Sequence, residues 1–151
     1  MNIIVEILSS EYYEKACCLI NKVYGHHDTP KNSILGRLDE NTKILCARLG
    51  DEIVGLVVMT IINRPFSSSK YLYLDYVCTD SDYRRMGIGK LLMAECERFA
   101  KDKGCAHIKF TSSYKREDAH AFYTNLGYSI VESAVFKKEI WFFLFFLFII
   151  E

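Results

Sequence analysis

The run Tyr83-Arg84-Arg85-Met86-Gly87-Ile88-Gly89-Lys90 sets two glycines and a pair of arginines at the start of a helical apolar period. A helix N-terminus presents unpaired backbone N–H groups and a partial positive charge, and glycine lets a ligand approach the backbone closely. Arginine adds charge-assisted donors for phosphate oxygens. The run therefore reads as an anion cradle suited to a pyrophosphate, against the plainer reading of a simple strand-to-helix turn. It is not a triphosphate P-loop, because no Gly-Lys-Ser/Thr follows, and it lacks the Gly-x-Gly-x-x-Gly dinucleotide pattern. Other chemistry-bearing types are less organised. The six cysteines, Cys17, Cys18, Cys46, Cys78, Cys96 and Cys105, form no C-x-x-C pair and sit mostly in apolar periodic stretches, as small core residues do. His26-His27-Asp28 carries metal-capable side chains, but adjacent histidines point apart and no further ligand cluster accompanies them, so no metal site is expected.

The elements that must position the cradle follow from apolar periodicity. Ile3 to Ile7 reads as a strand, and Ser10 as an N-cap for a helix whose Tyr13, Ala16, Cys17, Ile20 and Tyr24 share one face until Gly25. A loop follows from Gly25 to Pro30, and the spacing of Ile34, Leu35 and Leu38 predicts a weaker helix over Lys31 to Asp39. Ile44 to Leu49 and Ile53 to Ile62 form a hairpin through Gly50-Asp51-Glu52, and Tyr71 to Thr79 is a third long strand. Ile88, Leu92, Cys96 and Phe99 define an amphipathic helix ended by Gly104. Ala106 to Ser112 is a strand, Glu117 to Leu126 a helix with acids in its first turn, and Tyr128 to Val131 with Val135 to Ile140 a final strand pair. This order predicts an α/β (α+β) domain with a mixed, mostly antiparallel twisted sheet of six to seven strands flanked by about four helices.

The chain has 151 residues, half of them hydrophobic, which suits a single compact domain, assigned to residues 1–140. Nineteen basic against nineteen acidic side chains leave no net charge, so a basic nucleic-acid-binding surface is not expected. The opening Met1-Asn2-Ile3-Ile4-Val5-Glu6 is unlike a secretory signal, which points to the cytoplasm. Residues 141–151 form an apolar tail that breaks the pattern. The uncharged run Ile140–Ile150 falls short of the roughly 20 residues a spanning helix needs, so no transmembrane span is expected. The tail is a dimer or membrane-surface contact, a buried extension of the last strand, or sequence beyond the true end of the domain through read-through or a shifted frame. The last reading is favoured because the predicted elements are complete by Ile140 and such a run invites aggregation.

Arg84-x-x-Gly87-x-Gly89 between a strand and a helix matches the Arg/Gln-x-x-Gly-x-Gly/Ala signature of the GNAT superfamily of N-acetyltransferases, which this chain resembles over Ile3 to Ile140. Leu74-Asp75-Tyr76-Val77-Cys78-Thr79-Asp80 resembles that family's fourth strand, and Ala119-His120-Ala121-Phe122-Tyr123-x-x-x-Gly127-Tyr128 a block common in its bacterial members. The resemblance implies a V-shaped opening between the fourth and fifth strands that takes acetyl-CoA as co-substrate, with direct acetyl transfer to an amine. It implies donor contacts at Val77, Cys78, Thr79, Arg84, Arg85, Met86, Gly87, Ile88, Gly89, Lys90 and Tyr123. Where many relatives carry an Asn ahead of the fourth helix this chain has Ser112-Ser113-Tyr114-Lys115-Arg116, leaving Ser113 or Arg116 to replace it.

An amine attacks only when neutral, so the implied reaction needs a base; Asp75 is the first candidate, through water, and Tyr73 the second. Tyr123 is the implied acid for the departing thiolate, and the Val77 N–H the group that polarises the acetyl carbonyl. Each has a bland rival: a solvated or hydrogen-bonded strand carboxylate at Asp75, core filling at Tyr123, and for His120 a packed histidine rather than a substrate contact or a partner of Asp75 or Tyr123. Direct transfer needs no nucleophile, so Cys78 suits packing. The run Lys115 to Tyr123 resembles that of aminoalkylphosphonate N-acetyltransferases, implying a small amine as acceptor. A protein N-terminal or lysine acetyltransferase, and a non-catalytic acyl-CoA-binding module, stand as alternatives. The acceptor is expected to be read by Tyr24 to Leu38 and by the loop Asn63 to Lys70. Dimers are common in the family, so a homodimer is a further implication.

Overall fold

The computed structural model describes residues 2–25 and 38–139. The chain divides into two compact units, Met1–Arg116 and Glu117–Glu151. In the first unit the order is β1 (Ile3–Ile7), α1 (Tyr13–Tyr24), β2 (Thr42–Leu49), β3 (Glu52–Asn63), β4 (Lys70–Thr79), α2 (Ile88–Asp102) and β5 (Cys105–Lys109). The second unit contains α3 (Glu117–Asn125).

The five strands lie in sequence order in one sheet, antiparallel from β1 to β4 and parallel between β4 and β5. Short turns suffice for the antiparallel meander, whereas the parallel step requires a crossover, which α2 supplies. The sheet is covered on both faces. On one, Tyr13, Ala16 and Leu19 of α1 pack with Ile44, Cys46, Ile53, Leu56 and Cys78. On the other, α2 packs across β2 to β5 and buries Ile88, Leu92, Met93 and Cys96. Alternation along β3 explains why that strand serves both cores: Leu56 faces α1, while Val57 and Met59 are fully buried on the α2 side.

Several expectations need correction. Among the described residues there are five strands and three helices, not six to seven strands and about four helices. The strand pair expected over 128–131 and 135–139 does not form, and Ile130, Val131, Val135 and Phe136 stand exposed. Those segments are short, and an isolated two-stranded hairpin is marginal in water. The helix expected from Lys31 falls mostly outside the described residues, and Leu38 and Asp39 are not helical. Ser10 does not cap α1; it begins a 3₁₀ turn, Ser10–Tyr12, that leads into the helix.

The start of α2 is fixed by an omission. Gly55 of β3 lies opposite Thr79, and a Cβ there would stand 2.9 Å from Ile88 Cγ2, 3.0 Å from Leu92 Cδ1 and 3.2 Å from the Cys78 carbonyl oxygen. Only a residue without a side chain lets the first turn of the helix settle against the end of β4. Gly55→Ala is expected to destabilise the protein by about 1–3 kcal/mol, the usual range for overpacking. A urea midpoint equal to that of the wild type would show that this contact is not a constraint.

Candidate functional site

The end of β4 departs from a regular strand. Val58 pairs with Asp75 and Leu56 with Cys78, so Tyr76 and Val77 together face the single residue Val57 across the ladder. This bulge puts Tyr76 in the left-handed region at φ +49°, uncommon for a side chain of that size. The Asp75 carboxylate accepts the Tyr76 N–H at 2.9 Å and so supports the distortion. Beyond the bulge, the Asp80 N–H donates to the Val54 carbonyl at 2.9 Å. Backbone direction alternates along a strand, so Asp80 and Cys78 turn toward β3 while Val77 and Thr79 turn toward the other edge. β5 pairs with β4 only as far as Tyr73, leaving that edge unpaired by β5 at Val77 and Thr79.

The cradle follows directly. A 3₁₀ turn, Ser81–Tyr83, leads through Arg85 (φ +62°) and Gly87 (φ +77°) into α2. No side chain caps the helix and no acid stands in its first turn. No carboxylate of the first turn therefore offsets the N–H groups at the start of α2 or the positive end of its dipole. Arg84, Arg85, Met86 and Lys90 are exposed, and the three cations form no ion pair among the described residues. Ile88 does the opposite job: 2% exposed, it anchors the helix start in the core beside Gly55.

The last turn of α1 reaches both features. The Tyr24 hydroxyl donates to the Val77 carbonyl at 3.3 Å, and its ring meets Tyr76 edge-on at 5.4 Å. The Arg116 guanidinium lies 5.8 Å from the centre of the Tyr24 ring, within cation–π range. Two residues earlier in the same turn, Lys22 pairs with Asp80 at 2.7 Å and with Asp82 at 2.6 Å. Ser113 accepts the Lys115 N–H at 3.3 Å and the Arg116 N–H donates to its carbonyl at 3.0 Å, forming the turn that presents Arg116.

Residues 2–128 match the Acetyltransferase (GNAT) family. The chain belongs to the GNAT acetyltransferase family. It is 32% identical over 72 residues to the uncharacterized N-acetyltransferase YhdJ of Bacillus subtilis, covering 47% of this chain and 50% of that protein. It is 30% identical over 78 residues to human N-acetyltransferase 8, covering 52% of this chain and 34% of the relative. The chain thus spans half or less of the length of these two relatives. Its fold is similar to that of an aminoglycoside acetyltransferase from an uncultured soil metagenomic sample, with a TM-score of 0.81 and 20% identity over 92% of this chain and 96% of that one.

In a GNAT chain the signature Arg84-x-x-Gly87-x-Gly89 is the loop just described. Asp75 is exposed on the same sheet face as Tyr73, since their partners Val58 and Thr60 both turn toward α1. Tyr123, in the second unit, packs edge-on against Phe122 at 5.3 Å and against Tyr128 at 6.3 Å. The Tyr128 N–H donates to the Tyr123 carbonyl at 3.1 Å, closing the end of α3. Tyr24 and Lys22 were missed from sequence: Tyr24 reads as one more apolar-face residue, and nothing local announces that its hydroxyl meets a strand 53 positions later. The loop Asn63 to Lys70 stands apart from these features. It lies at the opposite end of β4 from Val77, roughly 20 Å along the strand, and lines an open hollow with Gly104. His26-His27-Asp28 and residues 141–151 fall outside the described residues. Among the described residues no cluster could hold a metal, and no helix is long and apolar enough to cross a membrane.

Burial pushes the thiols of Cys46 and Cys78 up to about 11 and that of Cys96 to about 12, so all three stay protonated at neutral pH. Cys78 therefore packs beside the β4 edge without being an activated nucleophile. An unfolded thiol ionises near 8.5, so between there and about 11 the unfolded state sheds protons that the folded state keeps. Urea midpoints should fall as pH rises through that window, and iodoacetamide at pH 8 should label exposed Cys18 well before Cys78. Equal labelling of the two thiols would contradict this account.

Proposed function

We propose that this chain transfers the acetyl group of acetyl-CoA directly to a primary amine of a small molecule in the cytoplasm. The observation that carries the reading is the pairing of an outward-facing β4 edge with an uncapped, carboxylate-free helix start, held together at Gly55. Donors and acceptors on Val77 and Thr79 suit the amides of a pantetheine arm, and the N–H groups from Gly87 to Lys90 with Arg84 and Arg85 suit a pyrophosphate. Acetyl-CoA supplies an activated thioester when bound. Ser113 and Arg116 are assigned to its arm as well, since Arg116 is carried to the Val77 end of β4 by Tyr24.

The remaining steps fall to side chains and backbone of this chain. A free alkylamine titrates near 10, so it must lose a proton before it attacks; Asp75 accepts that proton through water, with Tyr73 the second candidate on the same face. The Val77 N–H stabilises negative charge developing on the carbonyl oxygen. Tyr123 holds on its Oη the proton destined for the departing sulfur. The likeness of Lys115 to Tyr123 to the aminoalkylphosphonate enzymes supports a small acceptor, and an aminoglycoside acetyltransferase shares the fold.

Tyr123→Phe should retain coenzyme A affinity while turnover falls about 10²–10⁴-fold, the usual worth of a general acid. Unchanged turnover would remove Tyr123 from the chemistry, and an absence of turnover in the wild type with any small amine, but not with peptides, would favour a protein acceptor. Arg84→Ala should weaken coenzyme A binding about tenfold, as expected for a lost charge-assisted contact, and reduce its salt dependence. Binding without turnover on any amine or peptide would instead indicate an acyl-CoA-binding module.

A further inference from the structure

We propose that Lys22 is a positioning residue for the cradle, holding the turn ahead of it in place and offsetting part of the negative charge that two carboxylates would otherwise set beside the bound phosphates. This inference rests on the acetyl-CoA reading above and deepens it. The last turn of α1 sends one ammonium to two acids, Asp80 at 2.7 Å and Asp82 at 2.6 Å. Both acids belong to the turn that separates the end of β4 from Arg84.

Asp80 is the hub of that turn. Its side chain is 13% exposed, its Oδ1 accepts both Lys22 and the Asp82 N–H at 3.0 Å, and its carbonyl accepts the Tyr83 N–H at 3.1 Å. Its own N–H ties the turn to Val54 of β3. An exposed ion pair between two flexible side chains is ordinarily worth little. Here the geometry differs in two respects: the lysine bridges two elements far apart in the chain, and the acid it engages is largely withdrawn from water. Partial burial raises the Asp80 carboxyl, but the Lys22 ammonium and the Asp82 N–H outweigh that and leave it below the usual carboxylate range. Removing the ammonium leaves two negative charges within four residues of Arg84, on a loop whose task is to attract an anion. The same substitution frees the turn to move. Both effects weaken donor binding, and neither touches the β4 edge at which the acyl carbonyl is polarised.

The full chain carries the test. In Lys22→Met, calorimetric affinity for coenzyme A should fall about tenfold, as for a lost charge-assisted contact, while kcat at saturating acetyl-CoA stays near wild type. Lys22→Arg should recover most of the affinity, and Asp82→Asn placed in the Lys22→Met background should recover the electrostatic part. Without any ligand, hydrogen exchange at the Asp82, Tyr83 and Arg84 amides should accelerate in Lys22→Met. Unchanged affinity together with unchanged exchange overturns the proposal. Faster exchange in a protein whose wild type does not bind coenzyme A supports the positioning role and overturns the acetyl-CoA reading instead. A fall in kcat with affinity intact would place Lys22 in the chemistry and also overturn it.

Discussion

The absence of a side chain at Gly55 is the constraint on which the other features rest. A strand in the middle of a sheet gains from apolar bulk, and a glycine there forfeits packing and order. In this chain the forfeited volume is filled by Ile88 and Leu92, which lets the positive end of a fifteen-residue helix meet the point where β4 runs out. Two sites with different chemistry, a row of backbone amides and a pole of partial charge, become adjacent because one Cβ is missing between them. Had the helix started farther away, the loop from Asp80 to Gly87 would still carry its arginines but would have no fixed relation to the strand.

Charge is distributed around this contact with a clear division of labour. Among the described residues the cations on the loop and on the first turn of α2 lack carboxylate partners, while the acids that precede them are paired with a lysine from another element. Elsewhere the surface behaves ordinarily: Arg98 pairs with Glu95 and Asp102 along α2, and Arg48 with Glu6 across neighbouring strands. A chain with no net charge thus presents a locally positive pole by pairing its acids selectively, not by carrying excess base.

The parts of the molecule legible in sequence were those governed by local rules. The 3.6-residue apolar period of α1 and α2, the apolar runs of β2 and β3, and the hairpin at Gly50-Asp51 all correspond to observed elements. So does the glycine-arginine loop, whose spacing carries its own chemistry. What stayed hidden depended on partners distant in the chain. The Tyr24 hydroxyl, the twofold pairing of Lys22 and the nearness of Arg116 to Tyr24 are set by how α1 lies on the sheet, and no window of sequence contains both ends of such contacts. The expected last strand pair failed for a related reason. The short apolar runs around Ile130 and Phe136 read as strands, and a ladder forms only where another strand supplies the missing hydrogen bonds.

The extra residue at Tyr76 and Val77 also makes β4 a strand of two phases. In a regular strand, positions three apart face opposite ways, yet Asp75 and Cys78 look toward the same side. Ahead of the joint, odd-numbered Tyr71, Tyr73 and Asp75 form a polar stripe on that side; after it, even-numbered Cys78 belongs to the core. The two halves are therefore under separate rules. The first half sets its polar stripe against a core face made by Leu72 and Leu74, so only the stripe is open to exchange, whereas the second half is held by the direction of its backbone. The switch of phase against β3 is made at one joint, and the residue that makes it is a left-handed tyrosine.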